Sequence, residues 1–145
     1  MTTPTSGVIA AADACDGVVW SILGQTYTLK QVSDASMAWH AEFPKGTFVP
    51  PHVHPTQEEY IYVLSGQYRI WLGGKEQLAN PGDLVCMPRG IPHGIFNNLE
   101  TTATSLFWVA PTGQLQRLFE RIHLVGDPAE VVRLAAEHEV DFLKP

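Results

Sequence analysis

Apolar and polar residues alternate along most of the first 110 positions, the two-residue period of strands with one face buried. The segments "VVWSI" (18–22) and "QTYTL" (25–29) flank Leu23-Gly24 and predict a hairpin. "SMAWHAEF" (36–43) puts Met37, Trp39, Ala41 and Phe43 on one face and His40 with Glu42 on the other, then stops at Pro44-Lys45-Gly46. "EEYIYVL" (58–64) is rich in β-branched and aromatic residues, which suit a pleated, half-buried surface. Ser65-Gly66, Gly73-Gly74 and Asn80-Pro81-Gly82 then separate "QYRIWL" (67–72), "KEQLA" (75–79) and "DLVCM" (83–87) as further strands. After a loop, "PRGIPH" (88–93), come "GIF" (94–96) and "TATSLFWVA" (102–110).

Beyond residue 112 the period lengthens. Leu115, Leu118, Phe119 and Ile122 recur at i, i+3, i+4 and i+7, a helical stripe. Asp127-Pro128-Ala129-Glu130 supplies a capping residue, a proline at the first helical position and an acid in the first turn, so a second helix should run from Pro128 to Glu137. The expected fold is an all-β barrel or sandwich closed by two C-terminal helices. Its parts are a loose arm or edge strand at 1–17, a barrel at 18–111 and a helical segment at 112–145. His123 falls at the end of the first helix and His138 on a solvated face.

With 145 residues the chain fits one domain that buries a core without disulfides. Its formal charge of −6 and the lack of any basic cluster argue against nucleic-acid and anionic-membrane partners. No run is long enough to span a bilayer, and the N-terminus has no basic region followed by an apolar one, so no signal peptide is expected. Of the two cysteines, Cys86 lies in the apolar run "DLVCMP" and is expected to be a buried free thiol, consistent with a reducing cytoplasm.

Candidate chemistry gathers between the proline bend and the strongest strand. In "PPHVHPTQEEY" the extended backbone puts His52 and His54 on one face. Glu59 opens the next strand and shares its face with Ile61 and Val63. A carboxylate among apolar neighbours needs a partner to remain ionised, and a divalent cation held by two adjacent imidazoles is one. His93, after a Pro-Gly-Pro loop, is the third imidazole. Three neutral imidazoles and one carboxylate suit Fe, Mn, Ni, Co, Cu or Zn, and four ligands on an octahedral ion leave two positions for a guest. Phe48 shares parity with His52 and His54 and is expected to line the pocket, with Phe96 and Phe107 as further candidates.

The residues 46–97 resemble the two conserved motifs of the cupin superfamily. The first reads Gly46, five residues, His52-x-His54, four residues, Glu59, six residues, Gly66; the second reads Gly82, five residues, Pro88-x-Gly90, two residues, His93, three residues, Asn97. Fifteen residues separate the motifs, a compact spacing similar to that of single-domain cupins. The spacing selects Glu59 over Glu58 as the ligand. The resemblance implies a jelly-roll barrel (a double-stranded β-helix), a metal held by His52, His54, Glu59 and His93, and a small-molecule substrate. A looser similarity of the flanks to quercetinase-type dioxygenases implies O2 chemistry on a small aromatic or enol-bearing metabolite, with Glu59 accepting the substrate's proton. Two alternatives stand beside it: a non-redox cupin (lyase, isomerase or decarboxylase) using the metal as a Lewis acid, and a small-molecule sensor without turnover. Barrel edges and the polar arm make a homodimer the expected assembly.

Overall fold

In the computed structural model, which describes residues 4–144, eleven strands and two helices follow one another along the chain. They are β1 (Val19–Ile22), β2 (Gln25–Val32), β3 (Met37–Phe43), β4 (Phe48–Val53), β5 (Glu58–Ser65), β6 (Tyr68–Leu72), β7 (Lys75–Ala79), β8 (Leu84–Met87), β9 (His93–Phe96), β10 (Ala103–Ala110), α1 (Leu115–Ile122), α2 (Pro128–Glu137) and β11 (Asp141–Phe142). The strands form two antiparallel sheets, ordered β1-β2-β3-β10-β5-β8 and β11-β4-β9-β6-β7. β10 inserts between β3 and β5, so the last long strand joins the two halves of the larger sheet. The predicted all-β architecture with two C-terminal helices is the one observed.

Alternation decides which residues enter the core. Along β10, Ala103, Ser105, Phe107 and Val109 are buried, and the residues between them are half-buried. Phe107 stacks on Phe43 at 5.8 Å and on Trp39 at 5.5 Å. Tyr27 and Phe119 complete the ring cluster, and Phe119 stands nearly perpendicular to Trp39 at 5.1 Å. Burying each such ring is worth roughly 1.5–3 kcal/mol. The stripe Leu115, Leu118, Phe119 and Ile122 is buried throughout, so α1 lies over the barrel mouth. Asp127 caps α2 by accepting a hydrogen bond from the Ala129 N–H at 3.0 Å. One turn demands glycine: at Gly66, with φ +73°, an added Cβ would come 2.8 Å from the Ala103 Cα.

Four features depart from the sequence-based expectations. β4 contains Pro50-Pro51, which cannot donate to a ladder, and its pairing with β9 slips between Val49 and His52. This bulge breaks simple parity along β4. Cys86 is exposed, because Glu59 pairs with Met87 on the inward face and Cys86 therefore faces outward beside Tyr60 on a sheet-edge strand. His138 is buried rather than solvated: the chain reverses at Glu139, with φ +64°, and folds the imidazole inward, its Nδ1–H donating to the Leu134 carbonyl at 2.7 Å. After α2 the chain does not stay helical but returns as β11, pairing Asp141 with Val53 and Phe142 with His52. At the other end, the arm lies along β2, where the Lys30 ammonium donates to the carbonyls of Ala10, Ala11 and Asp13.

Candidate metal centre

Three strands and a short connection bring four side chains together. His52 comes from the end of β4, His54 from the residues just after it, Glu59 from the start of β5 and His93 from the first position of β9. Pairing of β4 with β9 sets His52 directly opposite His93. The potential ligand atoms of all four lie within 4.8 Å of one another, and each residue is at most 4% exposed. His93 Nε2 is 2.8 Å and His54 Nε2 3.7 Å from Glu59 Oε1. The His54 and His93 rings are nearly parallel at 5.4 Å, while His52 is set edge-on to His93 at 4.4 Å. Glu58 points the other way, accepts a hydrogen bond from the Tyr60 hydroxyl at 3.2 Å and faces Arg89 at 3.9 Å.

The donor chemistry of the cluster fits a divalent cation. Each imidazole uses Nδ1 outward: His52 toward the Pro50 carbonyl at 2.8 Å, His93 toward the Ile91 carbonyl at 3.3 Å and His54 toward the Gln57 side-chain oxygen at 2.8 Å. Carbonyl oxygens only accept, so at His52 and His54 Nδ1 carries the proton and Nε2 presents a lone pair inward, while His93 Nε2 lies within hydrogen-bond distance of the Glu59 carboxylate, at 2.8 Å, and shares a proton with it until a cation takes that place. Three lone pairs and a carboxylate oxygen facing one another repel unless a proton or a cation lies among them. Burial above all, then the neighbouring His93 and His54, lowers the pKa of His52 to about 3, which keeps this imidazole neutral and available as a ligand. At Glu59 burial pushes the carboxyl up, but His54, then His93 and His52, outweigh it and hold the pKa at about 2. The cluster is therefore one carboxylate among imidazoles in a buried site.

His52, His54 and Glu59 form one wall of a partly open pocket of about 50 Å³. Phe107, Trp39, Tyr27 and Val49 form the sides, and Phe119 of α1 and Phe142 of β11 close it. Phe142 also packs against the His52 ring at 5.3 Å. Of the three expected pocket phenylalanines, Phe107 lines this cavity and Phe48 and Phe96 do not. The bulge in β4 turns Val49 inward and leaves Phe48 outside, about half exposed, stacked on Phe96 at 5.7 Å, with the Arg69 guanidinium 5.4 Å above the Phe96 ring. His40 stays half-buried on the outer face of β3, and His123 accepts the Ser21 N–H at 2.9 Å, far from the cluster in its contacts. Trp39, which alternation puts on one face with Met37, Ala41 and Phe43, lines this cavity as well. Its Nε1 is the one buried side-chain polar atom among the described residues without a hydrogen-bond partner, a property that no pattern of residues reveals.

Residues 39–110 match the family model for the cupin domain, and they contain all four clustered side chains. The chain is a member of the cupin superfamily. As a cupin it shares 32% identity over 90 residues with quercetin 2,3-dioxygenase of Bacillus subtilis (strain 168), a stretch that is 62% of this chain and 25% of that protein. It shares 27% identity over 82 residues with the pectin degradation protein KdgF of Dickeya dadantii (strain 3937), covering 55% of this cupin and 74% of that one. Among solved structures, KdgF from Halomonas sp. superposes with a TM-score of 0.63 at 22% identity, over 73% of this chain and 94% of that chain. That likeness shows a shared barrel. Among the described residues, no helix of this cupin is long and apolar enough to cross a membrane.

Proposed function

We propose that this cupin is a metal-dependent dioxygenase acting on a small aromatic or enol-bearing metabolite. One observation carries the proposal: a buried cluster of three imidazoles and one carboxylate opens onto a cavity walled by aromatic and aliphatic side chains. The resemblance to quercetin 2,3-dioxygenase supports it, although the chain spans only a quarter of that relative. His52, His54, Glu59 and His93 would hold one divalent transition metal. Such an ion supplies sites for a chelating oxygen ligand and for O2, and it makes a bound hydroxyl easier to deprotonate. Glu59 is placed to take that proton. An enol or a phenol bound beside it is a better proton donor than an aliphatic alcohol, because its hydroxyl is the more acidic. Phe107 and Trp39 offer flat walls to a ring, and the Trp39 N–H offers a donor to a second oxygen.

Size adds a requirement. A cavity of about 50 Å³ holds a few waters or O2, whereas pockets for drug-sized ligands span roughly 300–1,000 Å³. An aromatic substrate therefore enters only when the cap of α1, α2 and β11 moves, and its return excludes water from the metal.

The test is O2 uptake by protein loaded in turn with Fe, Mn, Co, Ni, Cu and Zn, screened over phenolic and enolic compounds. Uptake that depends on metal and disappears in Glu59→Gln supports the proposal. Conversion without O2 consumption would favour a lyase, isomerase or decarboxylase instead. A ligand released unchanged would favour a sensor. The homodimer belongs to the same proposal, with the outer face of the larger sheet as its contact. There Tyr62, Leu64 and Leu84 are exposed around the stacked pair Tyr60 and Trp108. Sedimentation that gives a monomer at tens of micromolar would remove this part.

A further inference from the structure

Gln57 lies between the ligand pair and Glu59, at a position that neither motif specifies. Its side chain is buried, at 3% exposure, and every polar atom of the amide is committed. Nε2 lies 2.9 Å from the Pro111 carbonyl oxygen and 2.7 Å from that of Thr112. Only a donor can serve two carbonyls, so the NH2 group is fixed on that side and the amide oxygen is turned to His54 Nδ1 at 2.8 Å. That oxygen has lone pairs only. It therefore selects the tautomer of His54 that carries its proton on Nδ1 and leaves Nε2 free, facing Glu59.

The other end of the amide reaches the start of the cap. Thr112 is itself anchored: its hydroxyl donates to the Ser33 carbonyl at 2.5 Å and its N–H to the Asp34 carbonyl at 3.2 Å. Gly113 follows with φ +53°, and an added Cβ there would sit 3.3 Å from Gln57 Nε2. Two residues later α1 begins, and its Leu115, Leu118, Phe119 and Ile122 wall the cavity. A single buried amide thus bridges an imidazole of the metal cluster and the loop that launches the helical cap.

We propose that Gln57 is a positioning residue that couples metal loading to closure of the cap. It holds His54 in the form that offers Nε2 to a divalent cation. Through the Pro111 and Thr112 carbonyls it ties that form to the docked position of α1. Coupling of this kind is reciprocal, so an occupied site stabilises the docked cap and a docked cap tightens metal binding. The proposal rests on the metal-centre reading above, and its test separates the two.

The probe is Co(II) alone, with affinity measured by competition against a chelating dye and cap docking followed by hydrogen exchange of the α1 amides. In the unmodified protein Co(II) binds and slows exchange in α1. Gln57→Leu, which fills the space with no polar atom, binds Co(II) 10–100-fold more weakly, the usual cost of losing a hydrogen bond behind a metal-bound histidine, and Co(II) no longer slows exchange in α1. Gln57→Glu splits the two roles: it keeps an acceptor for His54 and loses both donors, so it binds Co(II) more tightly than Gln57→Leu while Co(II)-dependent protection of α1 is lost. Gln57→Glu alone decides the matter if Gln57→Leu does not fold. Equal Co(II) affinity in Gln57→Leu, or metal-induced protection of α1 that survives in Gln57→Glu, would overturn the proposal. Failure of the unmodified protein to bind Co(II) would instead remove the metal centre itself.

Discussion

Replacing His52 with Gln should flatten the acid side of the stability profile of the metal-free protein. His52 has a pKa of about 3 in the folded state, chiefly because it is buried, against an ordinary value near 6.5. Between these limits the unfolded chain binds a proton at this position that the folded chain refuses. Stability therefore rises with pH across the window, is complete above about pH 6.5 and is lost as pH falls toward 3. One proton of difference is worth about 1.4 kcal/mol per pH unit, so lowering the pH from 6.5 to 4.5 removes roughly 2–3 kcal/mol through His52 alone. Against a typical total of about 5–15 kcal/mol, that loss is readily measured. Below its ordinary range Glu59 acts in the same direction: its carboxyl, held at about pKa 2, contributes stability above pH 4.5 that is lost as pH falls toward 2. The assay is urea unfolding of chelator-treated protein at pH 7.5, 6.5, 5.5 and 4.5, for the unmodified chain and for His52→Gln. The difference between the two should shrink by about 1.4 kcal/mol per pH unit below pH 6.5. A difference that stays constant from pH 7.5 to 4.5 would show that His52 titrates normally and is not held neutral by burial.

Three other outcomes follow from the packing and the exposed thiol. Phe119→Ala removes a ring that touches Trp20, Tyr27 and Trp39 and closes the cavity; it should cost about 3–5 kcal/mol by chemical unfolding and let the metal-loaded protein bind phenol, and unchanged stability would mean that α1 does not dock as described. Cys86 should react with a thiol reagent in the native protein while Cys15 waits for unfolding; equal rates for the two would contradict their placement. Trp39→Phe deletes the unpaired N–H together with part of a fully buried ring system, so it should cost only the lost packing, less than the roughly 3–5 kcal/mol of a full truncation, and a loss as large as that would show that the N–H has a protein partner.

The strands, their turns and both helices could be read from alternation, glycine and proline punctuation and the i, i+3, i+4 stripe of α1, because these signals are local. The metal cluster was legible for a related reason: the spacing of His52, His54 and Glu59 is carried by one turn, and the second motif carries His93. What escaped depended on contacts between distant residues or on a broken period. Phe48 was assigned inward by counting alternate residues, but counting fails across the two prolines and the bulge of β4. Cys86 sits in an apolar run whose inward residue is set by the pairing of Met87 with Glu59, which the run does not show. His138 is buried by a reversal at Glu139, a residue without the usual signature of a left-handed turn. Gln57 carried no signal, since its partners Pro111 and Thr112 lie more than fifty residues away. The closing strand β11 has two residues, too few to form a pattern.

The central claim is that His52, His54, Glu59 and His93 hold one divalent metal ion. Elemental analysis of the purified chain beside His52→Ala, His54→Ala and His93→Ala tests it most directly. The unmodified protein should contain close to one equivalent of a transition metal at pH 8, and each variant far less, with the unmodified protein releasing its metal as acid protonates the imidazoles. Metal content that is the same in all four proteins, or that stays flat from pH 8 to about pH 4.5, would contradict ligation by these side chains.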